Sequence, residues 1–309
     1  MKHKIIYTLS RIGLIILGLI GLLLVIYGYI FVASVVGRDT IQVGDMERKY
    51  RVHLPANYDK TQPVPLVLAF HMYTGSGRTM EWLTHLNKIA DQEGFMVVYP
   101  DGYKASWADG SNQYAADQAY IDDFAFVSVL LDKLQEAYAI EASRIYATGF
   151  SNGGFLAQRL ACEMPDRFAA VATVGAVLSR GVITECLPET PTAIMMINGI
   201  DDHGVPWDGD QEYTSVVDTV AHWIQVNACS TEADTTSEPD AVEDGTRVER
   251  SVYSPCQEQT EVVLYSIAGS GHTWPGGSKP VQLWGLNGRI SQDMDASQVI
   301  WDFFQTHHR

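Results

Sequence analysis

Short apolar segments alternate with amphipathic helical segments along most of this 309-residue chain, and this alternation restricts the possible folds more than any other feature. The segments PLVLAF (65–70) and FMVVYP (95–100) are continuous and apolar, as expected for strands that are covered on both faces. Between them, residues 80–94 have helical spacing and end at Gly94, a suitable helix stop. The pattern predicts an α/β fold with a mostly parallel sheet and helices on both faces.

Three further segments add detail to this prediction. Residues 47–58 alternate in the manner of a half-buried strand, and we expect them to form part of an antiparallel hairpin. A helical segment begins at Asp122 and Asp123 and runs to Tyr138. Carboxylates at its start suit the positive end of the helix dipole. Residues 230–250 are polar and acidic, so we expect a solvated loop there.

The first 37 residues differ in kind from the rest. Residues 12–37 carry no charge, and three cations precede them: Lys2, Lys4 and Arg11. At about 1.5 Å per helical residue this run can cross a hydrocarbon layer of about 30 Å. It predicts a transmembrane anchor with a cytoplasmic N-terminus, or a signal sequence if it is cleaved. Either alternative places residues 38–309, expected to form one domain, outside the cytoplasm.

Overall charge excludes one class of partner. The chain has 21 Lys+Arg against 37 Asp+Glu, a formal net charge of -16. Such a balance repels a phosphate backbone, so nucleic acid is not expected to bind. The expected contact with a membrane is made through the N-terminal segment alone.

The four cysteines are an even number, as is usual in exported proteins with disulfides. Three pairings are possible. We favour Cys162 with Cys186 and Cys229 with Cys256, because each pair closes a modest loop within one part of the chain. The alternative is four buried free thiols. No CxxC pair or Cys/His cluster predicts a metal site, and no cofactor is expected.

The segment Gly149-Phe150-Ser151-Asn152-Gly153 places a serine between glycines, where a strand pattern becomes a helix pattern. This G-x-S-x-G arrangement is typical of a nucleophilic serine on a sharp strand-to-helix turn. The bare pattern also fits a purely structural serine in a tight turn. The apolar strand before it and the helical segment after it favour the nucleophile.

A nucleophilic serine needs a histidine base and a carboxylate that orients the histidine. Downstream of the serine, Asp201 and Asp202 follow a predicted strand that ends in Gly199. Farther on, His272 lies in a glycine-rich loop just past another strand. The order serine, acid, histidine is the one that this turn requires, although the spacing alone does not choose between the two acids.

Six segments of the sequence, taken together, carry a resemblance to one known family: PDGYKASW, IDDFAFVSVLLDKL, YATGFSNGGFLAQRLACEMPDRFAAVATVGA, NGIDDHGVPW, GSGHTWPGG and VIWDFF. Together they resemble the exported esterase family that includes polyhydroxybutyrate depolymerases and single-domain feruloyl esterases. The resemblance spans about residues 46–306. It implies an α/β-hydrolase fold with Ser151 as nucleophile, His272 as base and Asp202 as the orienting acid.

The resemblance also implies an oxyanion hole made by the backbone N–H groups of Asn152 and Tyr73. Two positions depart from the family pattern. Met72 replaces the glycine that usually follows the histidine of this loop, and Asn198 stands where the family tends to carry histidine. Since methionine lacks the conformational freedom of glycine, the loop and the substrate preference are where this chain can differ from the family.

Trp107 and Trp274 match recurrent aromatic residues of the family. They are expected either to line an acyl pocket or to serve in packing. The four cysteines match the family's pairing scheme as well.

These observations predict a secreted or membrane-anchored serine esterase whose substrate is a feruloyl, acetyl or polyhydroxyalkanoate ester, linked to a polysaccharide or a polyester. Two alternatives stay open. A serine peptidase of the same fold would use the same three side chains, and a cell-surface binding protein would keep the scaffold without turnover.

Overall fold

The computed structural model describes residues 38–278 and 288–309, and a compact unit spans Asp39–Arg309. The predicted membrane or signal segment, residues 1–37, lies outside the described residues. Among the helices that the structure describes, none combines the length and the apolar character needed to span a bilayer.

A ten-stranded sheet forms the centre of this unit. Its strands are β1 (Asp39–Val43), β2 (Met46–His53), β3 (Val64–Phe70), β4 (Met96–Pro100), β5 (Ile140–Phe150), β6 (Ala170–Val174), β7 (Ala193–Gly199), β8 (Ala233–Ser237), β9 (Arg247–Tyr253) and β10 (Val262–Ala268). The spatial order is β1-β2-β4-β3-β5-β6-β7-β10-β9-β8. The strands from β4 to β10 in this order run parallel, and antiparallel strands flank them on both edges. The prediction of a mostly parallel sheet with an antiparallel entry hairpin is therefore confirmed.

Helices cover both faces of the sheet. They are α1 (Gly77–Thr84), α2 (Leu86–Glu93), α3 (Ala115–Gln118), α4 (Asp123–Ala137), α5 (Asn152–Glu163), α6 (Arg180–Ile183), α7 (Val216–Val226) and α8 (Ala296–Phe304). One hydrophobic cluster contains side chains of α4, α5 and α7, and the other contains side chains of α1, α2 and α8. The two clusters are separated by the sheet.

Strand β3 shows why a continuous apolar run was a reliable signal. Leu66, Leu68 and Phe70 belong to one cluster, whereas Val67 and Ala69 belong to the other. Successive side chains of a strand point to opposite faces, so a strand between two helical layers must be apolar at every position.

Two sequence predictions were wrong in detail. The single helix expected over residues 80–94 is divided at His85, which has a φ of 55° and separates α1 from α2. The loop expected at 230–250 contains β8 and the start of β9. Strand β8 is the edge strand with mostly exposed side chains, and β9 beside it is mostly only partly buried, so their polar composition concealed the backbone pairing.

Two disulfides connect Cys162 to Cys186 and Cys229 to Cys256. This confirms the favoured pairing, and the alternative of four free thiols is wrong. The first bond joins the C-terminal end of α5 to the segment after α6. The second joins the segment after α7 to the approach to β10.

A buried ion pair lies beneath the loop that leads to α4. The Nη2 atom of Arg48 is 2.7 Å from Oδ1 of Asp123, and the two side chains are 4% and 0% exposed. The other carboxylate oxygen of Asp123 accepts the backbone N–H of Ala108 at 2.8 Å. The guanidinium also lies 3.9 Å from the ring centroid of Phe126. Asp123 therefore has a tertiary role that the helix-dipole argument did not predict.

We expect Asp123→Ala to lower the free energy of unfolding by about 3–5 kcal/mol, because it leaves a buried guanidinium without its partner. The adjacent Asp122 supplies a matched control. Its carboxylate caps α4 by accepting the N–H of Ala125 at 2.8 Å, and loss of such a cap costs about 1 kcal/mol. Urea unfolding of the two variants measures the difference, and equal losses would contradict the assigned role of the ion pair.

Candidate active site

Ser151 occupies the turn between β5 and α5. Its backbone has φ 55° and ψ -125°, a conformation that residues with a side chain rarely adopt. The N–H of Ser151 donates to the carbonyl oxygen of Val174 at 3.0 Å, which ties the turn to the end of β6. Its side chain makes no capping hydrogen bond to the helix and is 8% exposed. The bond to β6 thus stabilises the strained backbone, and the hydroxyl is not engaged as a helix cap.

The two glycines of the motif are required by close backbone contacts. A Cβ atom at Gly149 would lie 2.3 Å from the carbonyl oxygen of Gly153, and one at Gly153 would lie 2.3 Å from that of Phe70. Real Cβ atoms do not approach backbone so closely. The sharp turn and its contact with the end of β3 therefore both depend on the G-x-S-x-G spacing.

Asp202 and His272 are joined by a hydrogen bond of 2.7 Å between Oδ2 and Nδ1. Since a carboxylate can only accept, the proton lies on Nδ1, and Nε2 of the neutral ring is the basic nitrogen. The other oxygen of Asp202 accepts the N–H groups of Gly204 and Val205 at 2.7 and 2.8 Å. These bonds fix the carboxylate, which is almost fully buried.

The neighbouring acid, Asp201, is exposed, and its backbone N–H donates to the carbonyl oxygen of Ser270. The structure therefore brings Asp202, and not Asp201, to His272. This is the acid that the family resemblance implied and that spacing alone had left open.

His272 lies at the same end of the sheet as Ser151. Its imidazole stacks on the ring of Phe150, with centroids 4.8 Å apart and planes 26° apart. A Cβ at Gly175, directly after β6, would lie 3.1 Å from its Nδ1. The three predicted side chains follow β5, β7 and β10, whose carboxyl ends meet at one edge, as is usual for active sites of parallel sheets.

The backbone N–H groups of Asn152 and Tyr73 donate to no other group within the ranges 38–278 and 288–309. Asn152 is the first residue of α5, where a helix leaves N–H groups unsatisfied. Tyr73 follows β3 in a loop closed by a hydrogen bond from Gly75 N–H to the carbonyl oxygen of Met72. Met72 is not among the residues with positive φ, so this loop does not need the glycine of the family pattern.

His71 holds the loop in place through both ring nitrogens. Nε2 accepts the backbone N–H of Gly102 at 2.9 Å, so the proton lies on Nδ1 and is donated to the carbonyl oxygen of Met72 at 2.7 Å. Burial lowers the pKa of His71 to about 4. The ring is therefore neutral near pH 7 and acts as a fixed spacer between two loops.

Trp107 and Trp274 are 0% and 1% exposed. The indole N–H of Trp107 donates to the carbonyl oxygen of His71 at 2.9 Å, and that of Trp274 donates to the hydroxyl of Ser297 at 3.0 Å. Buried rings with satisfied N–H groups favour the packing role over the pocket-lining role that the sequence also allowed. Trp107 supports the loop that carries Tyr73.

Sequence reasoning missed two acids near this site. Both lie between β4 and α4: Asp109 is in the polar loop, where it accepts a hydrogen bond from the side chain of Asn152, and Asp117 is in the short helix α3. Burial raises the pKa of Asp109 to about 7. No local sequence pattern connects Asp109 with Asn152, because only the fold brings the two side chains together. No group of three or more His, Cys, Asp or Glu side chains in the described parts of the chain could hold a metal ion.

Comparison of the sequence with known proteins finds a matching family and several similar proteins. The model of the family described as Putative esterase matches residues 42–285. The putative esterase NocK of Nocardia uniformis subsp. tsuyamanensis is 29% identical over 287 residues, which cover 88% of this chain and 83% of that protein. The probable feruloyl esterase C of Aspergillus niger is 31% identical over 172 residues, which cover 53% of this chain and 58% of that protein.

Among solved structures, the acetyl xylan esterase from Aspergillus awamori matches with a TM-score of 0.57 and 14% identity. The match covers 87% of this chain and 98% of that one. At this identity the likeness shows the fold alone. It is the α/β-hydrolase fold that the sequence predicted.

Proposed function

Because this chain belongs to the Putative esterase family, we propose that it hydrolyses carboxylic esters through an acyl-serine intermediate formed on Ser151. The observation that carries this mechanism is the hydrogen bond between Asp202 and His272, at the sheet edge where Ser151 is held in a strained turn. A nucleophile, a base and an orienting carboxylate are the parts that acyl transfer requires.

In the proposed acylation step, Nε2 of His272 removes the hydroxyl proton as the oxygen of Ser151 attacks the ester carbonyl carbon. The carbonyl oxygen becomes an oxyanion that the N–H groups of Asn152 and Tyr73 stabilise. Asp202 stabilises the imidazolium cation. As the tetrahedral intermediate collapses, the C–O bond breaks and the alcohol leaves with the proton from His272. Water then repeats the sequence on the acyl-serine and releases the acid.

For the substrate, we propose feruloyl or acetyl esters carried by a polysaccharide. The sequence relative named as a feruloyl esterase supports this class, and the structure named as an acetyl xylan esterase shares the fold. The ring of Tyr73 is 49% exposed, and it lies 5.1 Å from the ring of Tyr114. The exposed ring of Tyr73, supported by the partly buried ring of Tyr114, is suited to stacking on a planar acyl group or a sugar. Polyhydroxyalkanoate esters are the remaining alternative.

We also propose an extracytoplasmic location. Two disulfides are stable in an oxidising compartment and rare in the cytosol. A membrane anchor would be supplied by residues 1–37, outside the described residues. Protease protection of the full chain in spheroplasts would distinguish an anchored protein from a released one.

The proposed function predicts that a fluorophosphonate probe labels the full chain on the peptide that contains Ser151, because an activated serine attacks phosphorus as it attacks a carbonyl. Methyl ferulate, acetylated xylan, a hydroxybutyrate oligomer and a feruloyl amide are then compared. We expect turnover of the first two. Labelling with cleavage of the amide alone would favour the peptidase alternative, and absence of labelling would favour the binding protein.

A further inference from the structure

The side chain of Asn152 is fully buried and makes three hydrogen bonds with the loop after β4. Its Oδ1 accepts the backbone N–H of Trp107 at 2.8 Å, and its Nδ2 donates to the carbonyl oxygen of Trp107 at 3.2 Å. Nδ2 also donates to Oδ2 of Asp109 at 2.9 Å. These bonds fix the first residue of α5, whose backbone N–H faces the site that we assign to the oxyanion.

Asp109 is 1% exposed and is itself held from several directions. Its Oδ1 accepts both the backbone N–H and the hydroxyl of Ser111, at 2.9 and 2.6 Å. Its Oδ2 accepts from Asn152. The carboxyl group therefore connects the proposed oxyanion residue to the next turn of the loop.

A second carboxyl group faces Asp109. Oδ1 of Asp117 accepts the N–H of Gly110 at 2.9 Å, whereas its Oδ2 is buried and has no hydrogen-bond partner. Burial and the adjacent charge of Asp117 raise the pKa of Asp109 to about 7. A buried carboxylate oxygen without a donor is costly, and two neighbouring carboxylates, of which one is fully and the other partly buried, cannot both ionise easily. One proton between Asp109 and Asp117 would satisfy the unpartnered oxygen.

Within the described ranges, the groups around this acid pair are neutral or bonded to other partners. Tyr114 and Tyr213 contribute hydroxyl groups, which are neutral, and burial raises the pKa of both. The guanidinium of Arg159 donates to the carbonyl oxygen of Ala108 and forms an ion pair with Glu163. Arg48 is paired with Asp123, whose carboxylate also accepts the backbone N–H of Ala108 in this loop. Among the described residues, no ion pair includes either acid of this pair.

We propose that Asp109 and Asp117 share one proton, and that this acid pair is a positioning element that holds Asn152 and its backbone N–H at the oxyanion site. The inference rests on the proposed function, because the N–H of Asn152 matters for catalysis only if an oxyanion forms there. Neither acid touches the reacting atoms.

The sign of the pH effect follows from the raised pKa of Asp109. The shared proton stabilises the folded chain fully below the unfolded pKa of about 3.9, and this contribution is lost as pH rises through about 7. Above that pH we expect the two neighbouring carboxylates to repel each other and the loop to hold Asn152 less firmly. The pair therefore predicts a decrease of kcat on the alkaline side, with little change in KM.

Asp117→Asn tests the proposal because the amide imitates the protonated pair. Its oxygen can accept the N–H of Gly110, and its NH₂ group can donate permanently to Asp109. We expect the ratio of kcat at pH 9 to kcat at pH 6 to rise well above that of the wild type. In Asp109→Asn the amide presents a donor to Asn152 or to Ser111, so kcat is expected to decrease about tenfold at every pH, with KM nearly unchanged.

The assay uses p-nitrophenyl acetate between pH 5 and 9 with the full chain. Asp132→Asn is the matched control, because Asp132 is an exposed carboxylate in a surface ion pair with Arg167. A wild type without an alkaline decrease, or an Asp117→Asn variant that keeps it, would overturn the proposal.

Thermal unfolding provides a readout that does not need turnover. The Tm of Asp117→Asn relative to the wild type is expected to increase from pH 5 to pH 9, and a constant difference would exclude the shared proton. A wild type that neither hydrolyses esters nor reacts with a fluorophosphonate would instead refute the proposed function, and the positioning role with it. The two failures are thus separable.

Discussion

Replacement of Ser151 by alanine is expected to lower kcat for ester hydrolysis by about 10⁵-fold or more, the order of loss found when the nucleophile of a serine hydrolase is removed. Ser151 directly follows β5 and precedes α5, and its hydroxyl makes no capping hydrogen bond, so the substitution removes the proposed nucleophile itself. Steady-state hydrolysis of methyl ferulate or p-nitrophenyl acetate measures the loss. Labelling by a fluorophosphonate should disappear in parallel.

Two further variants make this result interpretable. Ser143 lies near the start of β5, far along the strand from the turn. The variant Ser143→Ala is expected to keep the wild-type kcat. Ser151→Gly is expected to be inactive yet more stable than the wild type by about 1 kcal/mol, because glycine adopts the positive φ of this turn without strain. An active Ser151→Ala variant would refute the acyl-serine mechanism.

The parts of the fold that the sequence predicted are those with a strong local period. Strands such as β3 had to be apolar at every position, and α4 carries its buried side chains at helical spacing, so both were recognisable. The break at His85 and the strands β8 and β9 were not, since nothing local distinguishes a cap residue with positive φ between two helices or strands rich in charged and hydroxyl side chains.

In the candidate site, too, the residues with a local sequence signal were predictable and the long-range contacts were not. The chain order of Ser151, Asp202 and His272 was visible because each follows a recognisable strand. The bonds that support the site were not, because they join residues far apart in sequence: Trp107 meets Asn152 across 45 positions, and Asp109 meets it across 43. Only the folded chain shows that the loop after β4 is part of the proposed oxyanion site.

Asp202→Asn is expected to lower kcat by about 10⁴-fold, the size of the effect of the corresponding change in a serine protease triad. The amide oxygen would stay with its backbone donors, Gly204 and Val205. The amide NH₂ would then face Nδ1 of His272 and donate to it. The imidazole would have to carry its proton on Nε2, where it cannot accept the proton of Ser151.

The adjacent acid provides the control for this prediction. Asp201→Asn makes the same chemical change one position earlier, on an exposed side chain, and is expected to leave kcat within a factor of about two, since surface substitutions have small effects. Comparing the pair cancels any general effect of removing a negative charge near His272. If Asp201→Asn lost the activity and Asp202→Asn kept it, the hydrogen bond of 2.7 Å between Asp202 and His272 would not be the one that orients the base during turnover. A loss confined to Asp202→Asn follows only if this carboxylate sets the tautomer of the imidazole.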